Sequence, residues 1–289
     1  IIESTAPVGT TDKIKNIIFN ERPNLRGKIN IAYCPERVLP GNVIYELVNN
    51  DRVIGGIDEI SSNSAARFYD IFVSGKLHIT DTKSAELCKL VENSCRDVQI
   101  AFANELSLIC DKSDIDVWEL IKLANYHPRV DILKPSCGVG GHCIAVDPYF
   151  ITSNYKEESR LISTARQVNE SKPLWRIEKI KKTIDGFIFN TEKKLTTAIM
   201  GLTFKPNIDD IRESPAEYIA EMLIKKYPDY DFLFVEPHLS SHPKLKLTDL
   251  NTAIADADIV VILVAHECFK GIDMGGKYVL NFTGNFSNQ

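Results

Sequence analysis

The chain has 289 residues, 44% of them apolar, which is enough to bury a full core and to build two or three domains. A net charge of -5 counts against nucleic acid or an anionic membrane surface as partner, and no apolar run approaches the length of a membrane span. The seven cysteines are odd in number and scattered through apolar segments, and the amino end has no charged-then-apolar leader; both point to reduced thiols in the cytoplasm.

Ile1-Ile2-Glu3 reads as a strand ending in the loop Ser4-Thr5-Ala6-Pro7-Val8-Gly9-Thr10-Thr11, which opens a short helix. Residues 29–34, 52–57 and 77–80 read as further strands with a helix over 64–73, an alternation that predicts part of a mixed α/β sheet. Pro35-Glu36-Arg37-Val38-Leu39-Pro40-Gly41 is a turn by its bracketing proline and glycine. The strongest helical pattern runs over 84–111, where Leu87, Leu90, Val91, Cys95, Val98, Phe102, Leu106 and Ile109 recur at three- and four-residue steps behind the caps Asp81 and Thr82. Lys89 and Asn93 stand four apart and project from one face, away from Val91.

A capped helix follows over 114–125, and helical pattern resumes near 159, with Pro173 expected to kink or break it before a further helix over 175–184. From 195 a second α/β unit begins, with strands at 197–200, 231–235, 258–264 and 278–281 and helices at 215–227 and 247–257. This alternation predicts a parallel, Rossmann-like sheet with ligands beyond its strand ends.

Between these units lies Pro135-Ser136-Cys137-Gly138-Val139-Gly140-Gly141-His142-Cys143-Ile144-Ala145-Val146-Asp147-Pro148-Tyr149. Its glycines open backbone conformations closed to other residues and deliver Cys143 beside His142, with the Asp147 carboxylate four positions on. A nucleophilic thiolate needs such a partly open setting with an acid or base in reach. A metal site at Cys137, His142 and Cys143 is disfavoured, because no paired Cys-x-x-Cys or second histidine cluster completes a tetrahedral set. A cysteine hydrolase pairing Cys143 with His142 is disfavoured because adjacent side chains rarely face each other.

Gly-Gly-x-Cys with an aspartate four residues later resembles the active-site loop of the nucleotide-sugar 6-dehydrogenases, the UDP-glucose/GDP-mannose 6-dehydrogenase family. With His127-Pro128-Arg129-Val130 ahead of it, the stretch is most similar to the branch acting on UDP-N-acetyl-D-mannosamine. Ser4-Thr5-x-Pro7-x-Gly9, Pro35-Glu36, Lys89-x-x-x-Asn93 and the segment from Gly201 through Phe204-Lys205, Asp209-Asp210 and Arg212 to Ser214-Pro215 match further family motifs in family order.

The resemblance implies an α/β fold of two Rossmann-like parallel-sheet domains, the first truncated, joined by a long central helix and helical domain. The expected division is 1–81 for part of the NAD-binding domain, 82–178 for the central dimerisation domain with the cysteine loop, and 179–289 for the UDP-sugar-binding domain. A Gly-x-Gly-x-x-Gly phosphate turn is missing from the sequence; the nearest stretch, Gly138-x-Gly140-x-x-Cys143, lacks the third glycine and follows no strand. The half of the first domain carrying that turn is therefore expected to be absent, and a non-catalytic module that binds UDP-sugar and dimerises is the alternative expectation.

The implied reaction is four-electron oxidation of a UDP-N-acetylhexosamine at C6 to the uronic acid, with NAD as cofactor and surface-polysaccharide precursors as the destination. Cys143 is then the nucleophile, Lys89 and Asn93 stabilise charge on the C6 oxygen, and Glu36, Asp147 and Thr5 handle water and protons. Arg129, Gly140, Gly141, His142, Phe204 and Lys205 are implied to bind substrate, with Arg129 reaching a neighbouring subunit's sugar site. Thr5, Glu36, Cys143 and Arg212 are implied on the cofactor side, and the central helix as the interface of a homodimer or higher oligomer.

Overall fold

A computed structural model of the chain describes residues 1–38, 42–190 and 195–284; Leu39, Pro40 and Gly41 of the predicted turn lie outside them. The chain divides into two compact units, Ile1–Cys95 with Asp147–Arg160, and Arg96–Val146 with Leu161–Gln289.

The first unit opens with α1 (Thr10–Glu21) and a three-stranded sheet of β1 (Ala32–Tyr33), β2 (Arg52–Gly56) and β3 (Leu77–Asp81). Between the strands lie α2 (Val43–Asn49), which periodicity did not reveal because it spans only two turns, and α3 (Glu59–Tyr69). β1 runs antiparallel to β2, and β2 parallel to β3. The predicted strand at 29–34 shrinks to two residues because its ladder with β2 holds only the pairs Ala32–Gly56 and Tyr33–Gly55, and the first residues contribute a single parallel bridge, Ile2 to Tyr33. Asp58 caps α3 by accepting the Ser61 N–H at 2.7 Å.

α4 (Thr82–Ser113) follows β3 directly, opened by Asp81, whose carboxylate accepts the Ser84 N–H at 2.9 Å. The apolar stripe read along it is only partly core: Leu90 is buried, but Leu87, Val91, Phe102 and Ile109 are exposed, whereas Glu86, Ser94, Asp97, Asn104 and Ser107 are buried. α5 (Val117–Ala124), capped by Asp116, belongs to the second unit, and α6 (Asp147–Asn154) to the first.

α7 (Arg160–Asn190) runs through Pro173 as one helix, so the break among the two outcomes expected there does not occur. Buried side chains in the turns just ahead of the proline make tertiary bonds to α4 that offset the lost backbone bond: Arg166 to Asp97 at 2.7 Å, Asn169 to Asn104 at 2.9 Å, and Lys172 to Ser107 at 2.5 Å.

The rest of the second unit is a fully parallel sheet in the order β5 (Asp231–Val235), β4 (Thr196–Met200), β6 (Ile259–Ile262), β7 (Tyr278–Asn281). α8 (Pro215–Lys226) starts at the Ser214 cap with proline at its first position, and α9 (Leu250–Asp256) at the Asp249 cap. Both faces are covered: Ile199 packs with Ile219 and Leu223 on one side, Ala198 and Met200 with Val260 and Phe269 on the other.

Candidate active site

Five of the expected residues lie in the first unit. Ile2 and Tyr33 run parallel and the Glu36 N–H donates to the Glu3 carbonyl at 3.2 Å, so Thr5 and Glu36 both leave the carboxyl ends of neighbouring extended segments, where α/β folds take ligands. Glu36 Oε1 accepts the N–H groups of Arg37 and Val38 at 2.6 and 2.7 Å, and Oε2 faces the buried Arg52 at 3.5 Å. Arg37 pairs with Glu92 of α4 at 2.8 Å, which docks this turn beside Asn93. Asn93 Nδ2 donates to Oδ2 of Asp147, a buried residue at the start of α6. Lys89, one turn earlier, is half-buried and makes no hydrogen bond or ion pair among the described residues.

Two residues here escaped the sequence reading. Glu86, fully buried, accepts the N–H of Gly9 at 2.5 Å and both the N–H and hydroxyl of Thr11 at 2.7 Å. It caps α1 from another helix and pins the Thr5 loop against α4. Tyr33 is also fully buried, and burial with the charges of Glu86 and Asp147 pushes its phenol up to about 12. The only sequence signal for Glu86 was its place three residues before Lys89.

The second unit holds the cysteine loop. Ser136 is fixed by its N–H to Asn104 Oδ1 at 2.8 Å and by its hydroxyl to the Gly138 carbonyl at 2.7 Å; the buried Cys137 thiol donates to the Leu263 carbonyl at 3.3 Å. Gly141 has φ 78°, a left-handed conformation that the side chain of another residue would strain, and its N–H donates to the Arg212 carbonyl at 3.1 Å. At Gly140 any Cβ would lie 2.6 Å from both the Glu213 carbonyl oxygen and Phe204 Cβ. The loop is thus seated on residues 204–215 at backbone distance, with His142 and Cys143 exposed at its tip.

Arg212 is chelated by Asp210, at 2.6 Å through Nη2, and this bond, then the Asp210 charge, raises its pKa, with Cys143 contributing. The structure therefore brings Gly140, Gly141, Phe204, Arg212 and Cys143 together. Arg129 and Lys205 are exposed, and no hydrogen bond or ion pair among the described residues ties either side chain to the cysteine loop.

Known families match the chain along most of its length. Three models of the UDP-glucose/GDP-mannose dehydrogenase family match in series: the NAD binding domain at residues 1–73, the central domain at 83–171 and the UDP binding domain at 198–282. The UDP-N-acetyl-D-mannosamine dehydrogenase of Escherichia coli (strain K12) is 50% identical over 98% of this chain and 72% of its own length.

The chain belongs to the UDP-glucose/GDP-mannose dehydrogenase family.

The NDP-N-acetyl-D-galactosaminuronic acid dehydrogenase of Ralstonia nicotianae is 47% identical over 99% of this family member and 70% of its own length. The solved UDP-D-ManNAc dehydrogenase from Pyrococcus horikoshii superposes with a TM-score of 0.86 at 34% identity, covering 100% of this chain and 69% of that one. The dehydrogenase is thus an NAD-dependent oxidoreductase with an α/β fold and a UDP binding domain. Thr5 and Glu36 present a half-buried hydroxyl and carboxylate just past the carboxyl ends of the Ile2 segment and β1, groups whose chemistry fits the hydroxyls of a dinucleotide. Among the described residues no helix is long and apolar enough to cross a membrane.

Proposed function

We propose that this dehydrogenase oxidises UDP-N-acetyl-D-mannosamine at C6 to the uronic acid, with Cys143 as nucleophile. The observation that carries the reading is the exposed Cys143 on a loop held by Phe204 and Arg212, in a chain 50% identical to a protein named for that substrate.

NAD, when bound, supplies the hydride acceptor for both oxidations. The residue roles follow the family resemblance, and the geometry within each unit supports them. Lys89 and Asn93 donate to the C6 oxygen as negative charge develops there, an effect worth a few kcal/mol when donors are preorganised. The Cys143 thiolate adds to the aldehyde carbon formed in the first oxidation, and the new oxyanion takes a proton to give a thiohemiacetal. Loss of hydride and proton from that adduct leaves a thioester on Sγ. Water, deprotonated by Glu36 or Asp147 and ordered by Thr5, attacks the thioester carbon and expels the thiolate, releasing the carboxylate.

The same reading assigns 1–81 to cofactor binding, 82–178 to the central domain and 179–289 to UDP-sugar binding, in a cytoplasmic homodimer whose interface includes the exposed apolar stripe of α4. The test is NADH formation on mixing the protein with NAD and UDP-N-acetyl-D-mannosamine. Two NADH per sugar are expected from the native chain and none from Cys143→Ala. Turnover of UDP-glucose in preference removes the substrate assignment, and normal acid formation by Cys143→Ala removes the nucleophile.

A further inference from the structure

The turn after β4 is where a Rossmann-like unit offers backbone N–H groups to a phosphate. Here an internal carboxylate takes them: Glu236, at the end of β5 and 4% exposed, accepts the N–H of Leu202 at 2.7 Å and of Thr203 at 3.1 Å on Oε2, and that of His238 at 3.1 Å on Oε1. His266, also fully buried, places Nε2 3.1 Å from the same Oε2 and 3.3 Å from the Thr203 hydroxyl, while its Nδ1 accepts the Asn207 N–H at 3.0 Å. Because Nδ1 is an acceptor, the imidazole proton sits on Nε2 and is directed at Glu236. Burial opposes the Glu236 charge, yet His266 and the amides outweigh it and hold the carboxyl below its ordinary pKa.

These bonds converge on one loop. Thr203 donates its hydroxyl to the Lys205 carbonyl at 3.0 Å, and Asn207, held at φ 60°, accepts the Glu267 N–H at 2.9 Å on its side chain. A non-glycine residue keeps that backbone only where its surroundings over-determine it. Phe204 stands between the two anchors, and Phe204 is the wall against which Gly140 and Gly141 pack.

We propose that Glu236 and His266 are positioning residues for the nucleophile: by fixing residues 202–207 they set Phe204, and through Phe204 the backbone that presents Cys143. This rests on the reading of Cys143 as the nucleophile. Both residues are buried, so they act through the loop they hold; the phosphate-type turn has been turned inward to serve as a bracket for the cysteine loop.

The test compares His266→Ala, His266→Asn and Glu236→Gln with the native enzyme and with Cys143→Ala. The readouts are kcat and KM, and the rate at which iodoacetamide alkylates the Cys143 peptide, followed by mass spectrometry because Cys95 and Cys268 are exposed too. His266→Ala and Glu236→Gln are expected to lower kcat per alkylatable Cys143 by about 10- to 100-fold with little change in KM for NAD, the scale of a small misplacement of a reacting group. His266→Asn, whose amide oxygen can take the Asn207 N–H, should recover most of the loss. Native kcat per alkylatable Cys143 in His266→Ala overturns the proposal, as does equal loss in both His266 variants. Should His266→Ala not fold, Thr203→Val, which removes only the bridging hydroxyl, takes its place under the same criterion. Full activity of Cys143→Ala overturns the nucleophile reading instead, so the two failures are distinguishable.

Discussion

The side-chain amide of Asn93 donates to the buried carboxylate of Asp147, joining the middle of α4 to the first residue of α6. Each group fixes the other's orientation: the bond leaves the second amide hydrogen of Asn93 for a ligand oxygen and gives Asp147 a partner inside the unit. Asn93→Ala should lower kcat about a hundredfold, as for loss of a preorganised donor, and destabilise the protein by about 1–3 kcal/mol by removing a hydrogen-bond donor from a buried carboxylate. Steady-state kinetics with thermal unfolding measures both; unchanged kcat with lowered stability would leave Asn93 a structural residue only.

Lys172 makes stability depend on pH. Burial, then the charge of Arg176, pulls its ammonium down to about 6, against about 10.4 in an unfolded chain. Between those values the unfolded chain holds the extra proton, so stability rises with pH, by up to about 1.4 kcal/mol per unit, and is lowest below the folded value. The thermal midpoint should climb from pH 6 to pH 9 in the native protein and stay flatter in Lys172→Met.

The exposed stripe of α4 predicts an oligomer. Phe102→Glu, at a position 54% exposed in the single chain, should weaken self-association by roughly a hundredfold while leaving far-ultraviolet circular dichroism unchanged. Sedimentation velocity across a concentration series reads this, and a monomeric native protein would refute it.

Glu86→Gln should loosen the loop that carries Thr5. The amide keeps one acceptor for the three donors from Gly9 and Thr11 and turns an N–H₂ toward the others. A loss of about 1–3 kcal/mol is expected, with faster hydrogen exchange at Gly9 and Thr11 than elsewhere in α1.

Elements with one clear signal were legible in the sequence. β5 and β7 match their expected bounds because each is a short apolar run between turn residues, and α4 was found within two residues at each end because Asp81 caps it. α6 was not seen, since Asp147-Pro148 reads as a loop ending and becomes a helix start only when Asp147 is buried and bonded to Asn93. The break expected at Pro173 failed for a related reason: bonds from Arg166, Asn169 and Lys172 to α4 are long-range and invisible to periodicity. The site divided the same way. Cys143 and its glycines announce themselves by local chemistry, whereas Glu86, Glu236 and His266 look like ordinary polar residues until the amides they serve, far off in the chain, are brought to them.

The fit at Gly140 reaches beyond this one molecule. With the Glu213 carbonyl and Phe204 Cβ each 2.6 Å from where a side chain would begin, neither loop has slack to absorb a change in the other. Two stretches encoded far apart are therefore inherited as one, and a drift in either would persist only if the other had already moved to make room.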